Sequence, residues 1–269
     1  MGSEKRRGGT CRLFGLGVVL STAVPALVAQ GNLTVFAAAS LTESLTAIGN
    51  GFEALHPGVT IRFNLAGSQV LVTQLEQGAR ADVLATADSR WMQLAADRKL
   101  LAGEPIVFAR NRLVVVMPRS NPGRIDRLQD LARPGLKLIL AGAQVPAGSY
   151  SREALGRLAS APGFPRDFAR LALQNLVSEE ENVKAVVAKV QLGEADAGIV
   201  YASDVTAALR SRLAVLEIPE AANPIAEYPI APVAGGDLAL ATEFITYVES
   251  AAGLQALAAA GFLVEGRIR

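Results

Sequence analysis

Four times in this sequence an apolar strand runs into a helix through a link of small or hydroxyl-bearing residues, and that repeated unit limits the fold more than anything else in the chain. The first is the clearest. Residues 33–36 are β-branched and aromatic, as a buried parallel strand should be. From Leu41 the apolar positions become Leu41, Leu45, Ile48, Phe52 and Leu55, one stripe along a helix. Ser40 stands where the period changes. It either caps the helix or offers its hydroxyl and the free N–H groups there to a ligand past the carboxyl end of the strand. The unit recurs at Ser68, after the alternating strand 59–64, and the helix it opens stops at Gly78. Residues 82–86 form a further strand, followed by a helix through Trp91, Met92 and Leu94, where Trp91 reads as a packing residue.

The second half repeats the pattern. Residues 113–117 are a wholly apolar strand closed by Pro118, and 136–140 form another. The link that follows, 141–150, is rich in glycine and alanine and contains Ala147. It is an ordinary loop or a place where a ligand approaches bare backbone. After the strand 176–178, Val183, Val186, Val187 and Val190 mark a helix, for which Ser178 or Asn182 could be the N-cap. The strand 199–201 ends in Tyr201, placed to reach a crevice or to sit half-buried in the core. Residues 213–218 form a further strand, 241–248 and 254–260 read as amphipathic helices, and the prolines in 227–233 mark that stretch as an edge strand or a crossing. Two such sets of units, before and after residue 108, make an α/β architecture with two halves. Residues 108–112 break the alternation and 219–224 are linker-like, so the crossings between halves are expected near Arg110 and within 219–224.

Composition removes several classes of function. The chain has 269 residues and a net charge of +1, so no charge excess calls for nucleic acid or an anionic membrane. It has one cysteine, Cys11, and one histidine, His56, which excludes a zinc site of Cys/His type, a disulfide and a cysteine nucleophile in the body of the chain. A Ser-His-Asp triad would need His56, whose neighbours Pro57 and Gly58 mark a helix-ending turn. Residues 1–29 have the layout of a cleaved secretory signal peptide, with Lys5, Arg6, Arg7 and Arg12 before the apolar run 13–20 and small residues ending at Ala29. That run is short for a membrane anchor, and Cys11 precedes it, out of place for a lipoprotein. An exported protein is expected.

The four links and Tyr201 together supply backbone N–H groups and hydroxyls, with no carboxylate among them. Fixed donors at helix starts can hold an ionised oxyanion without a counter-charge. In this light the chain resembles the periplasmic molybdate-binding proteins of ABC transporters. The matching stretches are Val35-Phe36-Ala37-Ala38-Ala39-Ser40-Leu41-Thr42, Ala66-Gly67-Ser68, Gly78-Ala79-Arg80-Ala81-Asp82-Val83, Val145-Pro146-Ala147-Gly148, Glu181-Asn182-Val183, Gly198-Ile199-Val200-Tyr201 and Glu227-Tyr228-Pro229-Ile230. They come in the family's order along essentially the whole chain after the leader.

The resemblance implies a two-lobe periplasmic-binding-protein fold, each lobe a mixed sheet flanked by helices, with the ligand cleft between them. Lobe 1 would be 30–108 plus 225–269 and lobe 2 would be 109–224. It implies molybdate, and tungstate with it, bound by Ser40, Ser68, Ala147, Val183 and Tyr201, with Asn182 rather than Ser178 as the cap. Ser68 sits in a loop less rich in serine than the family's. The implied protein is a monomer, not an enzyme, without cofactor or cationic metal, periplasmic, and partnered by an ABC-transporter permease in the membrane. A receptor for sulfate or another tetrahedral oxyanion is the alternative. With no histidine among the five positions, affinity is expected to be nearly flat from about pH 6 to 8.

Overall fold

The computed structural model describes residues 1–2 and 31–264, so the expected signal peptide lies, all but its first two residues, outside the described residues. Ten strands form two sheets of five. The first contains β1 (Gly31–Ala38), β2 (Val59–Ala66), β3 (Val83–Ala85), β4 (Ile106–Asn111) and β10 (Ala226–Pro232), in the order β2-β1-β3-β10-β4. The second contains β5 (Leu113–Pro118), β6 (Leu138–Ala141), β7 (Leu176–Glu180), β8 (Ala197–Tyr201) and β9 (Leu213–Glu217), in the order β7-β6-β8-β5-β9. The two have the same plan. Three parallel strands lie on one side, β2-β1-β3 and β7-β6-β8. An antiparallel strand follows, β10 or β5, and an edge strand closes the row.

Helices cover the sheets because their apolar stripes match them. In α1 (Thr42–Leu55) the buried positions include Leu45, Ile48 and Phe52, while Leu55, expected on the same stripe, is 65% exposed where the helix ends. His56 is the C-cap, its Nδ1 on the Phe52 carbonyl at 2.9 Å, as the turn reading requires. With α2 (Ser68–Glu76) and α3 (Ser89–Asp97), α1 packs on the first sheet. On the second sheet lie α4 (Pro146–Ala159) and α6 (Val183–Gln191). The α6 stripe of Val183, Val186, Val187 and Val190 is buried throughout. It reaches β8 at Gly198, where a Cβ would stand 2.7 Å from the Val186 side chain. A short helix without a sequence signal, α5 (Phe168–Gln174), packs on α4. The C-terminal helices α7 (Leu238–Val248) and α8 (Ala251–Ala259) return to α1.

Residues 108–112 take the chain from one sheet to the other, with Arg112 leading into β5, and up to Asn111 they continue β4 as an edge strand paired with β10. Its outer side is held at Arg110, which exchanges two backbone hydrogen bonds with Leu263. For 227–233 the prolines leave an edge strand or a crossing, and the edge does not hold: β10, which the chain enters on returning from the second sheet, lies inside the first between β3 and β4. The register shifts between Tyr228 and Pro229, so the missing donor of Pro229 falls at a bulge. Each sheet with its helices is one lobe. The chain passes from β4 to β5 through Arg112 and from β9 to β10 through 218–225.

Candidate functional site

All four links end at one place. A small cavity of about 10 Å³ lies where the lobes meet, lined by Ala38, Ala39, Ser40, Ala66, Gly67, Ser68 and Ala87 from the first lobe and Val145, Pro146, Ala147, Asn182, Val183 and Tyr201 from the second. Ser40, Ser68, Ala147, Val183 and Tyr201 are therefore together, although up to 161 positions separate them in sequence. All five are buried. None of the lining residues among the described residues carries a charge.

Ser40 does not cap a helix. It sits in a short 3-10 turn, Ala39–Leu41, that precedes α1, and no side-chain cap bond forms there. Its Oγ shares a 3.0 Å hydrogen bond with Tyr228 Oη of β10. The Ser68 hydroxyl accepts from the Ala87 N–H at 3.0 Å, which leaves its own proton to point elsewhere. Both hydroxyls are anchored by protein: Ser68 can still donate, and Ser40 can when Tyr228 is the donor of their shared bond.

The backbone contributes through helix geometry. The first N–H groups of a helix have no acceptor inside it. In α4 the first position is Pro146, which has no N–H, and Ser149 is the residue that bonds back to Val145 O, at 3.0 Å. The N–H groups of Ala147 and Gly148 are thus open by position. Gly148 makes the approach possible, since a Cβ there would lie 2.1 Å from Gly142 O and 2.2 Å from Ala141 O. In α6 the cap is Asn182, whose Oδ1 accepts from Ala185 N at 3.0 Å, leaving the Val183 N–H at the cavity. Ser178 lies within β7 instead, so the choice of cap falls to Asn182 because the strand is longer than its apolar residues suggested.

Tyr201 ends β8 and is 1% exposed, and its Oη has no hydrogen-bond partner among the described residues. A buried phenol without a partner is costly unless something fills the place. Burial holds both the Tyr201 and Tyr228 phenols well above their ordinary range, so both stay protonated. Their rings meet edge-on at 5.7 Å.

Three neighbours of the cavity were not assigned from sequence. Tyr228 sits behind Ser40, and Asn182 lines the wall as well as capping α6. Asp204 is the third. It is fully buried, its Oδ2 accepts from the Tyr201 N–H at 3.2 Å, and its Oδ1 lies 3.3 Å from Lys184 Nζ. Burial pushes its carboxyl up to about 6, against the pull of Lys184. A titratable group that the five assigned positions do not include therefore stands directly behind the site. A tyrosine followed three residues later by a carboxylate was the available signal. Trp91 packs as expected, but its Nε1 also donates across the cleft to Gln144 O at 2.9 Å.

A two-lobe α/β frame with an uncharged, donor-lined cavity between the lobes defines a solute-binding protein. The profile described as "Bacterial extracellular solute-binding protein" matches residues 33–263, and the chain belongs to that family. The chain is 42% identical over 241 residues to the Mycobacterium tuberculosis protein called molybdate-binding protein ModA, covering 88% of this chain and 87% of that one. The Azotobacter vinelandii periplasmic molybdate-binding protein is similar in structure, with a TM-score of 0.74 at 20% identity over 87% of this chain and 100% of that one. The M. tuberculosis sulfate-binding protein SubI has the same fold, with a TM-score of 0.77 at 18% identity over 88% of each chain. No helix among the described residues is long and apolar enough to cross a membrane.

Proposed function

We propose that this protein captures molybdate, and tungstate with it, outside the cytoplasm and delivers it to the permease of an ABC importer. The observation that carries the reading is the cavity itself. Ser40, Ser68 and Tyr201 offer hydroxyls, and the backbone at Ala147 and Val183 offers N–H groups, with no carboxylate in the wall. Its volume, about 10 Å³, is far below the ~300–1,000 Å³ of sites for drug-sized organic ligands, so only something very small suits it. A fully ionised oxyanion accepts from every donor. Phosphate keeps a proton near neutral pH, and with no carboxylate in the wall that O–H has to turn a hydroxyl from donor to acceptor, a loss of about 1–3 kcal/mol.

Sulfate passes the same test of chemistry, and the fold is shared with a sulfate-binding protein, so fold alone does not choose between them. The 42% identity to a molybdate-binding relative supports the larger ion. The role is binding, not catalysis, by a monomer without a cofactor. It is exported by a signal peptide over 1–29. Calorimetry with molybdate, tungstate, sulfate and phosphate tests it. Tight, similar binding of the first two, with weak sulfate and no phosphate, is expected. Sulfate binding as tight as molybdate would move the protein to the sulfate reading, and tight phosphate binding would mean an acceptor in the site.

A further inference from the structure

Side-chain bonds tie the lobes together around the cavity, and each involves a residue adjacent or close in sequence to a cavity-lining one. Gln69 Nε2 donates to Glu181 O at 2.8 Å, and Arg90 Nη2 and Trp91 Nε1 donate to Gln144 O at 3.0 and 2.9 Å. These are neutral-acceptor bonds to backbone carbonyls. The bond made by Lys184 is different. From α6 its Nζ reaches both carboxylate oxygens of Glu43 on α1, at 2.8 and 2.7 Å, while standing 3.3 Å from Asp204 Oδ1. One ammonium thus lies between two carboxylates, one from each lobe.

Those two carboxylates are unequal. Glu43 is at the rim, with its side chain 46% exposed, whereas Asp204 is wholly buried and holds the backbone N–H of Tyr201. Tyr201 in turn presents the unpartnered hydroxyl to the cavity. The path Glu43–Lys184–Asp204–Tyr201 therefore runs from the opposite lobe to the donor. Closing the cleft carries Glu43 toward Asp204, and two like charges resist that approach unless a cation lies between them. The ionisable groups that face Asp204 are Lys184 of α6, Glu43 of α1, Tyr228 of β10 and its own neighbour Tyr201.

We propose that Lys184 is a positioning residue that makes lobe closure compatible with the buried Asp204 and so couples closure to the seating of Tyr201. The proposal rests on the reading that an oxyanion occupies the cavity. Lys184 is only 26% exposed on its side chain, which places the pair between a surface ion pair and a buried one. Replacing it by Met should weaken molybdate binding about ten-fold at pH 8, mainly by faster release. Lowering the pH to about 5 protonates Asp204, removes the repulsion and should restore most of the loss. Lys184→Arg keeps the cation and should stay within about threefold of the wild type.

A double-mutant cycle with Glu43→Gln separates this role from simple attraction of an anion by a lysine. With Lys184 present, Glu43→Gln removes the cross-lobe bond and should weaken binding. In the Lys184→Met background it removes the repulsion and should strengthen binding. Calorimetry and release kinetics with molybdate, on the full mature chain at pH 5 and 8, read both. An effect of Glu43→Gln with the same sign in both backgrounds, or a Lys184→Met loss unchanged at pH 5, overturns the proposal. Because Glu43 lies at the rim, its variant removes the cross-lobe bond while the Asp204 bond to the Tyr201 N–H stays in place. A wild type that binds none of the oxyanions would instead overturn the molybdate reading and this proposal with it. Tight wild-type binding with Lys184→Met unaffected would remove this one alone.

Discussion

At the scale of single residues, the cavity gathers three hydroxyls: Ser68 and Tyr201 keep their protons free of other protein groups, and Ser40 shares a bond with Tyr228. Tyr201→Phe deletes a donor to a charged ligand and should cost about 1.5–3 kcal/mol of binding, with the circular dichroism spectrum unchanged. Ser40→Ala should act in the same direction and also leave Tyr228 Oη without its 3.0 Å partner. Unchanged calorimetric affinity in both variants would remove these two hydroxyls from the site. Asp204 gives a stability prediction with a definite sign. Its carboxyl is raised from 3.8 to about 6 in the folded protein. Between those values the folded state binds more protons than the unfolded one, so this group's contribution to stability falls as pH rises through that window. Relative to Asp204→Asn, the wild type should gain roughly 2 kcal/mol as the pH is lowered from 8 to 4, by urea unfolding. Ser40 and Tyr201 were legible in the sequence because each stands where a strand ends and its period changes. Tyr228 was not, because its role comes from a partner 188 positions away, and spacing reports only on near neighbours.

At the scale of elements, the junctions between strand and helix carry the function, and their precision depends on close packing. Gly148 is the sharpest case. Any Cβ there meets backbone carbonyl oxygens, which cannot rotate aside. Gly148→Ala should therefore shift the start of α4, lower the melting temperature and reduce affinity by more than ten-fold, whereas Gly156→Ala, with open space around it in the same helix, should be neutral or slightly stabilising. Equal melting temperatures for the two variants would count against this account of the junction. The helices were legible from valine and leucine spacing, α6 above all. That 108–111 stay extended was not, because an edge strand needs no alternating apolar face where Leu263 pairs along its outer side at Arg110. The interior place of β10 was hidden for a related reason. Proline forbids a ladder bond at one position, and a bulge can absorb that one position.

At the scale of the whole molecule, two crossings and a set of polar bonds at the cleft allow the lobes to separate and close. X-ray scattering should show a smaller radius of gyration on adding molybdate, and a protein that binds it without compaction would contradict closure about the crossings. Those crossings also interleave the lobes along the chain. Every strand of the second sheet falls between Leu113 and Glu217, whereas the first sheet waits for β10 to join β3 to β4. A chain made N-terminus first therefore carries an incomplete sheet, with one side of β3 unpaired, until more than 110 further residues have followed. An unpaired strand edge is a template for association with another chain. The molecule is exposed to that hazard during its own synthesis and export, and its second lobe can be finished before its first. Pulse-labelled hydrogen exchange during refolding should accordingly protect Leu138–Ala141 earlier than Val83–Ala85.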